Sequence, residues 1–558
     1  MARFFALLTN ISYKLRLPMP GFLLGFVERY LWNHTEKIKV FLTAVYPGAV
    51  WKIADKKLLL LVNHYVKVTP ALQDIKAKFF PGRRFHSVAD FKQYFPILDK
   101  DNFRKQYPIE ALAQSGRLPH AGSFYKSAGT SGHPTLWVES IAEELEFDKA
   151  AEFIARTMLD MISNEYVILN CWALGSWPTG VNFFASARLL GKIVNLGTNV
   201  KETLEALKLL GPQYHYLLVG YPPFVYHIIH ACKDEGIDLA SYKIDVITGG
   251  EGFVEPWRDR LIEALGAERS IFSAYGSTDK GLGEGLETNL AYAVRSLMHI
   301  ASTLLRDEIE ARRVMKLRFG KPALPFNRES AKEFLRRFIK DEKSIDRVPM
   351  IFQFNPMMYY EENFVKLDPA QNREVYEFLT TTLIPEVTIP RIRYNIHDEG
   401  YVMTYDEVMG ALQAAGIDIF DFNPRRDRYM DLRLPFLLLF GRSDGTVSVD
   451  GANIFPEDIE ECLRQHDELF SMLNSFQLYI TTDYRFGIAL ELIKDMAADE
   501  ALSEKFRAYL TGALPKFSLG YSELSHEGLP SANIAVETYP YEAGPFSNRT
   551  IKLRYVRS

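Results

Sequence analysis

The chain has 558 residues, 47% of them hydrophobic, enough to bury a large core and to divide into more than one domain. Its 65 Lys and Arg nearly balance its 70 Asp and Glu, leaving a net charge of −5, so there is no electrostatic case for a nucleic-acid partner, and small-molecule chemistry is the expectation. The three cysteines, Cys171, Cys232 and Cys462, are too widely spaced for a zinc motif and suit a reducing compartment.

Up to about Asp99 apolar residues recur at three and four positions, as at Phe26, Tyr30 and Leu31, with breaks at Pro47 and Pro70. This predicts a mainly helical lead-in over residues 1–99. Phe4, Phe5, Leu7 and Leu8 precede no small-residue cleavage site, and the apolar runs 22–27 and 58–62 are too short to cross a bilayer. A cytoplasmic protein without a transmembrane segment is expected, the runs serving as core helix or, alternatively, as a peripheral membrane contact.

The run Lys126-Ser127-Ala128-Gly129-Thr130-Ser131-Gly132-His133-Pro134-Thr135 follows. Its exposed N–H groups and hydroxyls suit a polyphosphate, and its composition equally suits a plain turn between two strands. Short β-rich runs at 166–169 and 216–219 then alternate with helical stretches such as 200–210, which predicts α/β layering with partly parallel sheets. Ile247-Thr248-Gly249-Gly250-Glu251-Gly252 reads as a strand ending in glycines, where backbone can lie against a flat ligand. In Ala274-Tyr275-Gly276-Ser277-Thr278-Asp279 an aromatic ring, a glycine, hydroxyls and a carboxylate could stack on a base, approach a phosphate and hold magnesium.

Residues 285–347 predict a charged helical hairpin, broken near Pro322 and Pro325. Val294, Leu297, Ala301 and Leu304 form its apolar stripe, and Arg312, Arg313, Lys316 and Arg318 are read as a solvated face. In Pro390-Arg391-Ile392-Arg393-Tyr394-Asn395-Ile396-His397-Asp398 the final carboxylate could accept both hydroxyls of a ribose. A boundary is placed at Phe440-Gly441, and Pro456, Glu457 and Asp458 suit the first turn of a helix beyond it.

Taken in this order, the separated motifs resemble those of the adenylate-forming superfamily of acyl-CoA synthetases, luciferases and peptide-synthetase adenylation domains. They most resemble its phenylacetate-CoA ligase branch, from Phe95-Pro96-Ile97-Leu98-Asp99-Lys100 to the C-terminus. The resemblance implies an α/β fold with a large N-terminal domain of layered sheets and helices over 1–440, containing the lead-in 1–99 and the insertion 285–347. A small mobile α+β lid would occupy 441–558.

The resemblance also assigns roles. Ser127, Gly129, Thr130, Ser131 and Gly132 match the loop that holds the β- and γ-phosphates of ATP. Gly249, Gly250 and Glu251 match the strand end beside adenine, and Tyr275, followed by Gly276, matches the aromatic that stacks on it. Thr278 would contact the α-phosphate, Asp279 would bind magnesium, Asp398 and Arg442 would grip the ribose, and Asp444 would be the hinge. Lys552, two places before Arg554, matches the mobile lysine that bridges substrate carboxylate and α-phosphate. The chain departs from the family pattern in having Asp279 in place of glutamate, Asn395-Ile396-His397 before the ribose carboxylate, Gly445 after the hinge, and no Ser-Gly before Lys552.

These implications converge on ATP-dependent, magnesium-assisted activation of a small carboxylic acid to an acyl-adenylate. Transfer would follow to a thiol, by family analogy that of coenzyme A. An amine, a carrier protein or a protein cysteine is the alternative acceptor, and an inactive nucleotide-binding scaffold is the alternative from another class. Trp172, Trp177, Phe183, Phe184, Tyr221 and Phe224 are candidate linings for an aromatic or apolar acid, and core packing would equally explain them.

Overall fold

The computed structural model describes residues 1–17, 21–127, 135–159, 161, 163–340, 345, 347–368, 373–422, 431–442, 447–450, 452–454 and 456–547. The chain is α/β. It opens with helices, Ala2–Lys14, Thr35–Ala44, Pro47–Val68 and Pro70–Phe79 among them, the last two started by a proline whose missing N–H costs nothing in a first turn. A hairpin of β1 (Gly122–Ser127) and β2 (Thr135–Ser140) follows, in register from Gly122 opposite Ser140 to Ser127 opposite Thr135.

The centre is an 11-stranded sheet built from β3 (Tyr166–Asn170), β4 (Lys192–Asn195), β5 (His215–Gly220), β6 (Lys243–Thr248), β7 (Ile271–Ser277), β8 (Gly281–Leu286), β9 (Met350–Phe354), β10 (Tyr359–Asp368), β11 (Arg373–Thr382), β12 (Asp398–Met403) and β13 (Phe436–Arg442). Strands run in the order β10-β11-β12-β13-β9-β8-β7-β6-β5-β3-β4. From β4 to β7 all neighbours are parallel, and from β7 to β10 all are antiparallel. The parallel strands carry near-continuous apolar runs because helices cover both faces, and β3 is buried at every position. The helical stretch read at 200–210 is the helix Val200–Leu210, capped by Asn199. Beyond β13 lie β14 (Val447–Val449) paired with β15 (Ala452–Ile454), then a sheet of β16 (Leu473–Ile480), β17 (Phe486–Leu492) and β18 (Ala535–Tyr539). The helix Pro456–Arg464 starts at the expected proline.

Residues 285–347 differ from the expected hairpin. Among the described residues the helices there are Asn289–Arg306, Glu308–Phe319 and Arg328–Arg336. The first is buried on all sides, Arg295 and His299 included, rather than along one stripe. Arg312 and Arg313 are exposed as read, but Arg318 is buried.

The reason is a buried ion network that periodicity counts as solvated surface. Glu255 Oε1 lies 2.8 Å from Arg295 Nε and 3.4 Å from Arg258 Nη2, and Glu255 Oε2 lies 2.8 Å from Arg318 Nη2. Arg258 also donates to both oxygens of Glu287, at 2.6 and 2.7 Å, and Asp259 takes Arg318 at 2.7 Å and His299 at 3.1 Å. Burial alone would raise the Glu255 carboxyl, but the three guanidinium groups hold it well below the usual carboxylate range. Replacing Glu255→Ala leaves the three guanidinium groups without a shared counter-charge. A loss of about 3–5 kcal/mol in urea unfolding is expected, and an unchanged midpoint and slope would refute the network's role.

Candidate active site

The carboxyl ends of β6 and β7 lie side by side, at the point where the sheet changes from parallel to antiparallel. Ligands of open α/β sheets bind beyond strand carboxyl ends where the strand order or direction switches. Gly249 and Gly250 follow β6. A Cβ on Gly249 would stand 3.0 Å from the Ala274 carbonyl oxygen and 3.4 Å from the Trp172 ring, and Gly250 has φ +77° with Tyr221 only 2.9 Å from where its Cβ would be. Backbone approach and conformation therefore both require glycine there.

Tyr275 and Gly276 lie within β7, with Thr278 and Asp279 in the turn to β8. The Tyr275 hydroxyl donates to Asp398 Oδ2 at 2.5 Å and accepts from Lys280 Nζ at 3.2 Å. Asp398 opens β12 directly opposite Arg442 of β13, and Arg442 Nη1 lies 3.6 Å from Asp398 Oδ1. Residues 123 apart in sequence thus share one hydrogen bond, joined by a third from the last strand of the sheet. Glu251 is half-buried in the turn after the two glycines.

Lys280 is fully buried, 2.9 Å from Glu284 and 3.7 Å from Glu361. Burial would lower its ammonium, but these two carboxyl groups and Asp398 raise it, so it stays charged. Burial and the neighbouring Glu361 push the Glu284 carboxyl well up, and the Lys280 ammonium opposes that rise. Burial and the Asp398 charge likewise push the Tyr275 hydroxyl well up and keep it a donor. The Lys280→Tyr275→Asp398 relay therefore runs in one direction and fixes the Tyr275 ring. Lys280, Glu284 and Glu361 were not read from the sequence. Lys280 follows the motif directly, yet nothing in its spacing announces carboxylates from β8 and β10.

Asp279 is held from two sides: Oδ1 accepts from Trp137 Nε1 at 2.7 Å and Oδ2 lies 3.4 Å from Lys100 Nζ. Arg391, quoted in the ribose motif without a role, donates to the carbonyls of Asp279 at 3.2 Å and Thr278 at 3.4 Å, with its guanidinium 4.6 Å from the Trp137 ring centre. It is a positioning residue for the turn. No cluster of three or more His, Cys, Asp or Glu able to hold a metal occurs among the described residues. Ser127 ends β1 with its hydroxyl 2.6 Å from Thr135 Oγ1. Gly129, Thr130, Ser131, Gly132, Asp444 and Lys552 lie outside the described residues.

A cavity of about 200 Å³ opens against Gly249, Gly250, Tyr275 and Gly276 and runs to Phe147, Ala150, Ile154, Trp172 and Phe183. Of the six aromatics proposed as lining, Trp172 and Phe183 border it. Tyr221 packs edge-on to Trp172, its ring centre 5.0 Å away, and Phe224 is core. Trp177 and Phe184 do not border it, Phe184 lying instead against Arg188.

Beneath the hairpin, Glu139 of β2 is buried and accepts from Asn182 Nδ2 at 3.3 Å. Burial and the nearby Glu143 push its carboxyl from 4.5 to about 7. The folded protein thus holds this proton more tightly than the unfolded chain. Its contribution to stability is full below about pH 4.5 and is lost as pH rises through about 7. Glu139→Gln keeps an acceptor for Asn182 and removes the buried charge. The variant is expected to lose this part of the pH dependence and to exceed the parent by up to about 3 kcal/mol at alkaline pH. Urea midpoints on both sides of neutrality that move in parallel for the two proteins would contradict the assignment.

No protein-family model matches the chain, and no curated protein matches it by sequence. Among solved structures it is similar to 2-hydroxyisobutyryl-CoA ligase in complex with 2-HIB-AMP and CoA in the thioesterification state. That match has 17% identity and a TM-score of 0.55, over 90% of this chain and 89% of that one. The same ligase in the postadenylation state with 2-HIB-AMP overlaps at TM-score 0.47 with 17% identity, over 91% and 89%. The amide bond synthetase McbA from Marinactinospora thermotolerans overlaps at TM-score 0.40 with 12% identity, over 76% and 65%. The chain therefore has the fold of 2-hydroxyisobutyryl-CoA ligase along nearly its whole length, the fold expected from its resemblance to the adenylate-forming enzymes.

Proposed function

We propose that the protein is an AMP-forming carboxylate ligase. The observation that carries this reading is the meeting of Tyr275, Asp398 and Arg442 beside the glycine-edged apolar cavity. An aromatic ring, a carboxylate and a guanidinium at a strand-end switch point suit a nucleoside, and the adjoining cavity suits an apolar acyl group. In this reading Tyr275 lies on the adenine between Gly276 and the Gly249-Gly250-Glu251 edge, and Asp398 with Arg442 takes the ribose hydroxyls. Ser127, Gly129, Thr130, Ser131 and Gly132 hold the outer phosphates, and Thr278 contacts the α-phosphate.

Asp279 fits a magnesium ion that completes its shell from phosphate and water, since such ions use one or two carboxylates; its Oδ2 now lies 3.4 Å from Lys100 Nζ. Such an ion neutralises phosphate charge when bound. The substrate carboxylate attacks the α-phosphorus, pyrophosphate departs, and Lys552 spreads the charge that collects between them. No general base is needed for an acid that is already ionised, so His397, half-exposed 3.7 Å from Glu377, has no proton to abstract.

Residues 441–558 then act as the lid, turning about Asp444 to admit the acceptor. Coenzyme A is the preferred acceptor, as in the ligase whose fold the chain shares, and the phenylacetate-CoA ligase branch is the preferred placement on the motifs. The substrate is an apolar acid small enough for the cavity. An amine, a carrier protein or a protein cysteine is the alternative acceptor.

Pyrophosphate exchange into ATP across a panel of carboxylic acids tests the reaction, and AMP release with coenzyme A, amines or a carrier thiol identifies the acceptor. ATP binding without exchange for any acid would favour the inactive scaffold. Asp398→Ala is expected to weaken ATP binding by about 1.5–3 kcal/mol, whereas Lys552→Ala should abolish most exchange and leave ATP affinity near that of the parent. Equal affinity in the first variant, or full exchange in the second, would remove the role assigned to that residue. Ala150→Phe narrows the cavity and is expected to cut kcat/KM for the bulkiest accepted acid at least about tenfold relative to the smallest. An unchanged ratio would place the acyl group elsewhere.

A further inference from the structure

One face of the N-terminal helix Ala2–Lys14 turns large apolar side chains to water, although Phe5 and Leu8 pack against the protein. On that face Phe4 is 56% exposed, Leu7 55%, Ile11 43%, and Leu15, just past the helix end, 63%. Spacings of three, four and four place them on one face. Small and polar residues face the protein, Ala2 at 7%, Ala6 at 1%, Thr9 at 0% and Ser12 at 6%.

The helix cannot roll to hide the apolar face. Asn10 donates to the Ala44 carbonyl at 3.0 Å and accepts from the Tyr46 N–H at 2.7 Å, tying it to the turn before the helix Pro47–Val68. A Cβ on Gly48 would overlap the Tyr13 hydroxyl, so the closeness of that contact depends on glycine.

Charge says what covers this face. Residues 1–27 contain Arg3, Lys14 and Arg16 and no Asp or Glu. Arg3 and Lys14 edge the apolar stripe, and Arg16 and Leu17 enter a groove of about 580 Å³ shared with Lys52, Lys56, Arg84 and His86. Leu60, 51% exposed, carries the apolar surface across that groove. Among its described lining residues only Asp55 is acidic, and this carboxyl is turned to the Tyr360 hydroxyl, which donates to it at 2.8 Å.

A second copy docked face to face would bring the same cations together, because a two-fold interface pairs each patch with itself. An anionic bilayer offers hydrocarbon for the stripe and headgroup charge for the groove. A helix lying in the interface plane with an apolar face and basic flanks has this form. No described helix is long and apolar enough to span a membrane.

We propose that the helix Ala2–Lys14, with the basic groove beside it, seats the protein on an anionic lipid surface. Flotation of the full chain with phosphatidylcholine vesicles, with and without phosphatidylglycerol, tests this. Binding is expected only with the anionic lipid and should fall as salt rises. Leu7→Glu with Ile11→Glu should weaken it at least about tenfold, and Lys52→Glu with Lys56→Glu at least about fivefold per residue with a shallower salt dependence. Leu7 and Ile11 lie on the surface, so thermal unfolding of that variant should match the parent; Lys52 and Lys56 are half-buried, so binding by the second variant is compared only at a temperature where both proteins are shown to be folded. An unbound parent, equal binding by the Leu7/Ile11 variant, or a concentration-dependent dimer abolished by that variant without vesicle binding would each overturn the proposal.

Discussion

Strand β7 carries the constraint on which the site depends. It pairs parallel with β6 on one edge and antiparallel with β8 on the other, so the chain turns straight back at its carboxyl end instead of leaving through a crossover helix. The backbone there is left facing a crevice, and Tyr275 to Asp279 occupy it. Antiparallel return through β8 also requires a tight turn, which brings Lys280 Nζ back to the Tyr275 hydroxyl.

Such a junction needs support, and it comes from charge that is almost wholly desolvated. Glu287, just past β8, accepts from the Ser273 N–H of β7 at 3.1 Å as well as from Arg258 and Arg295, while Glu255 holds the segment that follows Gly249 and Gly250. Both glycine-bearing ends are thus tied to one ion network beneath the sheet. A second polar layer lies above it, where Lys280, Glu284 and Glu361 orient Tyr275. Buried charges are costly unless paired, and here the pairing joins elements far apart in the chain. The same pairing that stabilises the interior also sets the geometry of the crevice.

Much of the local structure was legible beforehand because its cause is local. The glycines after β6, the proline that starts Pro456–Arg464, and the apolar runs of β3 and β5 act through backbone freedom or burial within a few residues. The helix Asn289–Arg306 was misread because Arg295 and His299 look like a solvated face until Glu255, Glu287 and Asp259 are placed beside them. In the helix Ala2–Lys14, Asn10 and the small residues face the protein and turn Phe4, Leu7 and Ile11 outward, an orientation that helical periodicity alone does not set.

The sequence by itself determined the order of motifs, the α/β class and the residue types available for chemistry, since these follow from composition, periodicity and short-range backbone preference. Only the tertiary structure decided which of these residues meet. Tyr275 finds Asp398 because β7 and β12 reach one end of a single sheet, and Asp279 finds Trp137 and Lys100 because the β1–β2 hairpin and the end of the lead-in close over that turn. Pairing across a sheet depends on strand order and register, which couple residues more than a hundred positions apart and leave no periodic trace in the chain.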